Sequence, residues 1–336
     1  MHVYSGLFLI ALATLALEVT LTRLLSVITY YHLAFFAIAT AMLGITAGAT
    51  TVYLKPDWFS REKLDISIAK ACWGYALVTP FALIILCTIP FVLVYSIMGI
   101  FVLMMATVTC SLPFYFSGVA ITSALTQYRL PIGKIYASDL IGASTGCLLV
   151  LACFEVMDAP SLVLLCSALG MLAGFSFGRH NSNFKLRHFF GGSLAILILT
   201  LLIIINSCTN YGISPLFVKG RFETPGTYLF KKWNSFSRVG VSKGFWERPQ
   251  YWGPSPLAPQ EPRPQFFMNI DGDAGTTLCR FASLEDIEHL RFDVTNIAYF
   301  LRPHGGACII GVGGGRDIQS AILFGHKKVI GVDVNP

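Results

Sequence analysis

Charge is scarce in this chain. Of its 336 residues 12% are Asp, Glu, Lys or Arg, about half the share found in ordinary soluble domains, while 54% are hydrophobic. That composition excludes a single soluble enzyme and an intrinsically disordered chain. The net charge of +6 comes from 24 basic and 18 acidic residues with no basic run, which excludes a nucleic-acid-binding domain. The nine cysteines contain no C-x-x-C, the seven histidines no H-E-x-x-H, and both are scattered, so no metal site is expected. The N-terminus lacks a basic n-region and a small-residue cleavage site, which excludes a cleavable signal peptide.

The few charges are unevenly placed. Positions 1–207 carry 17 of them and the remaining 129 positions carry 25. A hydrocarbon core about 30 Å thick needs roughly 20 apolar residues in helical form. Segments of that kind run over 3–27, 32–54, 66–88, 91–125, 135–156, 161–177 and 189–206. The fourth is long enough for one tilted helix kinked before Pro113 or for two tight spans turning near Cys110, giving seven spans or eight. Six of the cysteines fall in these runs as small apolar packing residues. Gly44–Gly48 and Gly142–Gly146 are both G-x-x-x-G, a spacing that lets helix backbones approach closely. Glu18, Arg23 and Asp139 are charges at membrane depth, where a packing ion pair or a transport site are the two readings.

Orientation signals oppose one another. With seven spans, Lys55, Arg61, Lys63, Lys70, Arg129, Lys134, Arg179, Lys185 and Arg187 share the side of the N-terminus, which the positive-inside rule makes cytoplasmic, leaving the tail outside. An eighth span would return the tail to the cytoplasm but move the Arg129 and Arg179 groups out.

After Asn206 the pattern becomes short and alternating. Strands are expected at 227–231, 237–242 and 265–269. Between the last two, 248–264 holds six prolines and reads as an irregular loop, with Trp246 and Trp252 nearby. Residues 271–275 form a turn whose alternating acids fall short of an EF-hand, so calcium is not expected. A helix is expected from Ser283, with Asp286 as capping partner, a buried face of Ile287, Leu290, Val294, Ile297 and Leu301, and Pro303 beyond its end.

The most informative segment follows. A buried strand at 307–310 leads into the glycine turn Gly311-Val312-Gly313-Gly314-Gly315. A short helix at 317–324 is closed by Gly325, and a second strand at 328–332 ends at Asp333. Glycines let the backbone turn sharply and approach a ligand, and the helix N-terminus offers unpaired N–H groups. An acid at the tip of the second strand can accept hydrogen bonds from ribose hydroxyls, and Asp333 follows Gly311 by 22 positions, near the expected spacing of about 20. The unit reads as a Rossmann-like nucleoside site. A dinucleotide register would need Gly where Arg316 stands, so G-x-G-x-G points to an adenosyl-sulfonium ligand ahead of a nicotinamide cofactor.

These residues carry a resemblance. IIGVGGGRDIQSAILFG and VIGVDVNP within 299–336, TRLLS at 22–26, YHLAFF at 31–36, YASDLIGASTGCLL at 136–149, NSFSRVGV at 234–241 and NIDGDAGT at 269–276 make the chain resemble the predicted spermidine synthases with an N-terminal membrane domain. The resemblance implies a fold class of multipass α-helical membrane bundle followed by a small β-strand subdomain and the first βαβ unit of a Rossmann-like domain. Domains are expected at 1–207, 208–282 and 283–336. It implies a membrane-anchored transferase that binds S-adenosylmethionine or its decarboxylated form through Gly311, Gly313, Gly314, Gly315 and Asp333. The group transferred to a small amine is aminopropyl or methyl.

Val312 and Gly314 depart from the G-G-G-D-G-G turn of soluble spermidine synthases, which bears on aminopropyl specificity. The family's catalytic Asp is expected beyond Pro336, so the chain reads as a C-terminally truncated transferase, inactive by itself. The expected partners are the lipid bilayer and the amine, with no nucleic acid. The expected location is the cell membrane, with the C-terminal domain in the cytoplasm, where such donors are made. The alternative function is a membrane transporter or sensor with a nucleoside- or polyamine-binding domain.

Overall fold

The computed structural model describes residues 2–91, 96–179, 186–209 and 212–335. The chain divides into two units, Met1–Pro225 and Gly226–Pro336. Unit 1 contains helices α1 (His2–Ile28), α2 (Ala34–Leu54), α3 (Leu64–Thr88), α4 (Ile97–Gln127), α5 (Ile132–Cys153), α6 (Ala159–Gly178) and α7 (Leu186–Cys208). All seven contain stretches long and apolar enough to cross a membrane.

Local chemistry sets the helix ends. Ser96 caps α4 by accepting from the Gly99 N–H at 3.1 Å, and Asp158 caps α6 through the Ser161 N–H at 2.8 Å. Pro56, Pro90 and Pro131 lie between helices, where they stop the chain from continuing as one helix. The fourth segment is one continuous helix of 31 residues that takes in Pro113. It starts at Ile97 rather than at 91, and residues 92–95 lie outside the described residues.

Helices that run in the same direction meet through the two G-x-x-x-G motifs. A Cβ on Gly142 would lie 2.4 Å from the Phe8 carbonyl oxygen, and one on Gly146 2.5 Å from that of Leu12, so α5 lies parallel to α1 at backbone contact. Gly44 and Gly48 bring α2 equally close to Ser111 and Tyr115 of α4, and Gly118 of α4 meets Ile45 in return. Antiparallel neighbours use side chains instead. Ser5 and Ser176 share a 2.8 Å hydrogen bond between α1 and α6, and Ser167 of α6 donates to the Ala76 carbonyl of α3 at 2.5 Å. Tyr75 of α3, which runs parallel to α1 because both are antiparallel to α6, donates to the Ala13 carbonyl of α1 at 2.8 Å.

At the other end of α7, the Asn206 amide donates to both Asp158 oxygens and to Ser161 Oγ, each at 2.9 Å. The hairpin β1 (Phe217–Val218) and β2 (Arg221–Phe222) completes the unit. The residue before it and its turn bond to helix ends, the Leu216 N–H to the Cys87 carbonyl and the Lys219 N–H to that of Ile28, both at 2.8 Å.

Unit 2 opens with a five-stranded antiparallel sheet of β3 (Tyr228–Trp233), β4 (Arg238–Ser242), β5 (Phe245–Glu247), β6 (Arg263–Ile270) and β7 (Ala274–Cys279). The three expected strands are there, and β5 and β7 join them by pairing with β6. Asp271 at φ 53° and Gly272 at φ 76° make the left-handed turn between β6 and β7. The proline segment is anchored, because the Ser255 N–H reaches the Phe292 carbonyl at 2.8 Å and the Val294 N–H the Gly253 carbonyl at 2.9 Å.

The helix expected from Ser283 is broken. Asp286 does accept from the Ser283 N–H at 3.0 Å, but α8 covers only Leu284–Ile287. Two 3-10 turns follow, and α9 (Ile297–Leu301) is a separate element. Ile287 and Leu290 are buried as expected, whereas Val294, Ile297 and Leu301 are 60%, 59% and 81% exposed. The cause is Asp293, whose carboxylate accepts from the Thr295 N–H and from the distant Trp252 N–H, so the backbone turns there. The unit ends with β8 (Gly306–Ile310), α10 (Arg316–Leu323) and β9 (Lys328–Val332), in which β8 and β9 pair in parallel, but β8 is not the buried strand expected, since Ile309 is buried while Cys308 and Ile310 are exposed.

Candidate functional site

The glycine turn joins β8 to α10, and its conformation explains its composition. Gly311, Gly313 and Gly315 have φ of 80°, 51° and 77°, which side-chain-bearing residues rarely adopt. Gly311 and Gly313 are exposed, and the space where a Cβ would stand on Gly311 or Gly315 is open. Gly314 differs. A Cβ there would lie 2.8 Å from the Thr276 methyl and 2.9 Å from the Thr277 carbonyl oxygen, so it lets the turn pack against β7.

Asp333 stands beside the turn at the tip of β9. Its Oδ2 accepts from the Gly313 N–H at 3.0 Å and its Oδ1 from the Asn335 N–H at 2.9 Å. The Gly313 bond above all, and then the Asn335 bond, hold this carboxyl below its ordinary range. Asp333 is therefore an exposed carboxylate at neutral pH, with lone pairs left to accept more hydrogen bonds. The Gly311 N–H bonds to the Val332 carbonyl at 2.8 Å, which fixes the start of the turn against β9.

Residues with no motif of their own hold this arrangement. Asn335 Oδ1 accepts from Asn234 Nδ2 at 2.9 Å and from Ser237 Oγ at 2.5 Å, pinning the segment after Asp333 to the β3–β4 turn. Asn234 shapes that turn itself, its Oδ1 accepting from the Phe236 and Ser237 N–H groups. The NSFS run is the visible signal, since Asn and Ser are turn formers, but nothing in it points to Asn335.

Arg316, the first residue of α10, points away from the turn. It pairs with the Asp293 carboxylate and donates to the Gln250 carbonyl at 3.1 Å, joining the glycine turn to the proline segment. His289 is buried nearby with its ring edge-on to Tyr251. Burial, and then the charges of Arg263 and Arg316, lower its pKa to about 4. Among the described residues no group of His, Cys, Asp and Glu could hold a metal ion.

No protein-family model matches the chain, and neither a curated protein nor a solved structure matches it.

Proposed function

We propose that the chain is a membrane-anchored transferase of the spermidine-synthase type, in which unit 2 binds S-adenosylmethionine or its decarboxylated form. The observation that carries this reading is the contact between Asp333 and Gly313. A parallel strand, a turn with three left-handed glycines, a helix and a second strand bring one carboxylate to the open side of the turn. That is the arrangement a Rossmann-like domain uses for a nucleoside.

In this reading Asp333 accepts the ribose hydroxyls with the lone pairs that Gly313 and Asn335 leave free. Gly311 and Gly315 leave room for the ligand where side chains would stand. The N-terminus of α10 faces the ligand's polar end with unpaired N–H groups. The sulfonium supplies its own leaving group and an electrophilic carbon, so the protein's share of the chemistry is to hold donor and amine in line. Aminopropyl transfer is the first expectation and methyl transfer the second. Lipid bilayer and amine acceptor are the partners, and the donor's origin places unit 2 in the cytoplasm.

Isothermal titration of the full chain in lipid nanodiscs with each donor tests the reading. Saturable binding of one donor, lost in Asp333→Ala, supports it. No binding of either donor overturns it.

A further inference from the structure

Glu18 has no role in the proposed donor site, and its surroundings are unusual. It lies about 24 Å from the start of α1 and about 15 Å from its end at 1.5 Å per residue, deep within a span. Glu18 makes no hydrogen bond or ion pair with any described residue. Arg23, five residues on, directs Nη1 to Ser26 Oγ at 3.1 Å and is not its partner.

Among the described residues the neighbouring helices place no counter-charge at the level of Glu18. Helices α2, α4 and α6 contain no Asp, Glu, Lys, Arg or His. Helix α5 has Lys134 and Asp139, but both precede Gly142, which already meets α1 at Phe8. Asp65 and Lys70 of α3 precede Tyr75, which meets α1 at Ala13. Lys219 lies over Tyr30, beyond the end of α1. The other titratable groups on the helices against α1 are the thiols and phenols of Tyr53, Cys72, Tyr75, Cys87, Cys110, Tyr115, Tyr136, Cys147, Cys153 and Cys166.

The carboxyl is nevertheless reachable. Through the C-terminal half of α1 nearly every residue is buried, except a strip of half-buried positions at Leu15, Glu18, Val19, Thr22 and Arg23. These positions share one face of the helix. Glu18 therefore sits on the one face of this half of α1 that the rest of the bundle leaves half-covered.

We infer that Glu18 is a proton-binding site of the membrane bundle, loading and releasing a proton at this half-covered face. An unpaired carboxylate at this depth is costly and needs a positive partner. A metal cation or an ammonium group leaving water needs several oxygen ligands. Leu15 and Val19 flank Glu18 with hydrocarbon, and the Thr22 hydroxyl is already bonded to the Val19 carbonyl at 2.7 Å. A proton needs one lone pair. Loading converts the carboxylate to the neutral acid and release returns the proton to water, with no other reactant. The inference does not depend on the transferase reading, because no residue is shared.

Dicyclohexylcarbodiimide, an apolar reagent that adds to protonated carboxyls in membranes, is the probe. The full chain in lipid nanodiscs is treated between about pH 5 and pH 9 and its peptides are weighed. The expected result is an adduct on Glu18, absent in Glu18→Gln, forming about tenfold more slowly for each pH unit above the midpoint. No adduct on wild-type Glu18 at any pH overturns the inference. So does an adduct whose rate ignores pH, since that carboxyl never releases its proton. Both readouts come from the wild-type chain and stand even where the variant fails to fold.

Discussion

Arg316 donates to the carboxylate of Asp293, and neither side chain meets water appreciably, at 11% and 0% exposure. This one contact links the first residue after the glycine turn to the point where the 283–301 segment changes direction. Because Asp293 also holds the Trp252 N–H at 2.8 Å, the proline segment depends on the same carboxylate.

Asp293→Ala should cost about 3–5 kcal/mol, the usual result of leaving a buried charge without its partner. Hydrogen exchange measured on the intact chain in nanodiscs should quicken together in 250–255 and 292–296. Replacing both partners at once, Asp293→Leu with Arg316→Met, should cost less than Asp293→Ala alone.

His289 gives a pH dependence of definite sign. Its folded-state pKa of about 4 lies below the ordinary 6.5, so the unfolded chain takes up the proton first as pH falls. The stability it contributes is full above about pH 6.5 and is lost as pH falls through about 4. Protection of the 284–292 amides should decline across that window in the wild type and change less in His289→Gln.

Asp333→Asn keeps the shape of the side chain but removes its charge. Donor affinity should fall about tenfold or more, the worth of one charge-assisted hydrogen bond. Ser237→Ala, which loosens Asn335 without touching the turn, should weaken binding less. Equal loss in both would place the main effect in the pinning of the segment rather than in ribose contact.

Gly142→Leu should disrupt the bundle, because α5 touches the α1 backbone there with no room for a side chain. Overpacking of this kind costs about 1–3 kcal/mol. Gly133→Leu is the control, since no atom lies within 4 Å of its Cβ position. The midpoint of thermal aggregation in detergent should drop for the first variant and stay for the second.

Two physical demands on unit 2 oppose each other. Seven spans, with Lys55, Arg61, Lys63, Arg129, Lys134 and Arg179 on the N-terminal side, favour the far side of the membrane for everything after α7. The proposed donor is made in the cytosol. A cysteine introduced at Lys243 in intact cells should resist an impermeant maleimide and react only after permeabilisation. Labelling from outside would overturn the transferase reading.

The spans were legible because about 20 consecutive apolar residues are a strong signal that no tertiary contact needs to supply. The start of α4 was not, since 91–96 is as apolar as the helix after it and only Ser96 marks the boundary. The glycine turn and the Asp333 position were readable because strand, turn and helix are local, and β9 falls on the expected 328–332. The 283–301 segment misled for the opposite reason. Its helical period was real, but Asp293 was drawn to Trp252, 41 residues away, and to Arg316, 23 residues on. The link from Asn335 to Asn234 spans 101 residues, and no spacing rule reaches that far.

The two close helix pairs also constrain how the bundle is made. Because α5 lies parallel to α1, and α4 to α2, neither contact can form between neighbours in a chain that reverses at every loop. Each early helix must wait in the bilayer while at least one other helix is synthesised. α1 waits longest, with its backbone groove empty until Gly142 and Gly146 leave the ribosome, and it carries Glu18 throughout. Nascent chains arrested before position 142 should thus expose α1 to lipid, or to whatever chaperone guards it, in a way that the finished protein never does.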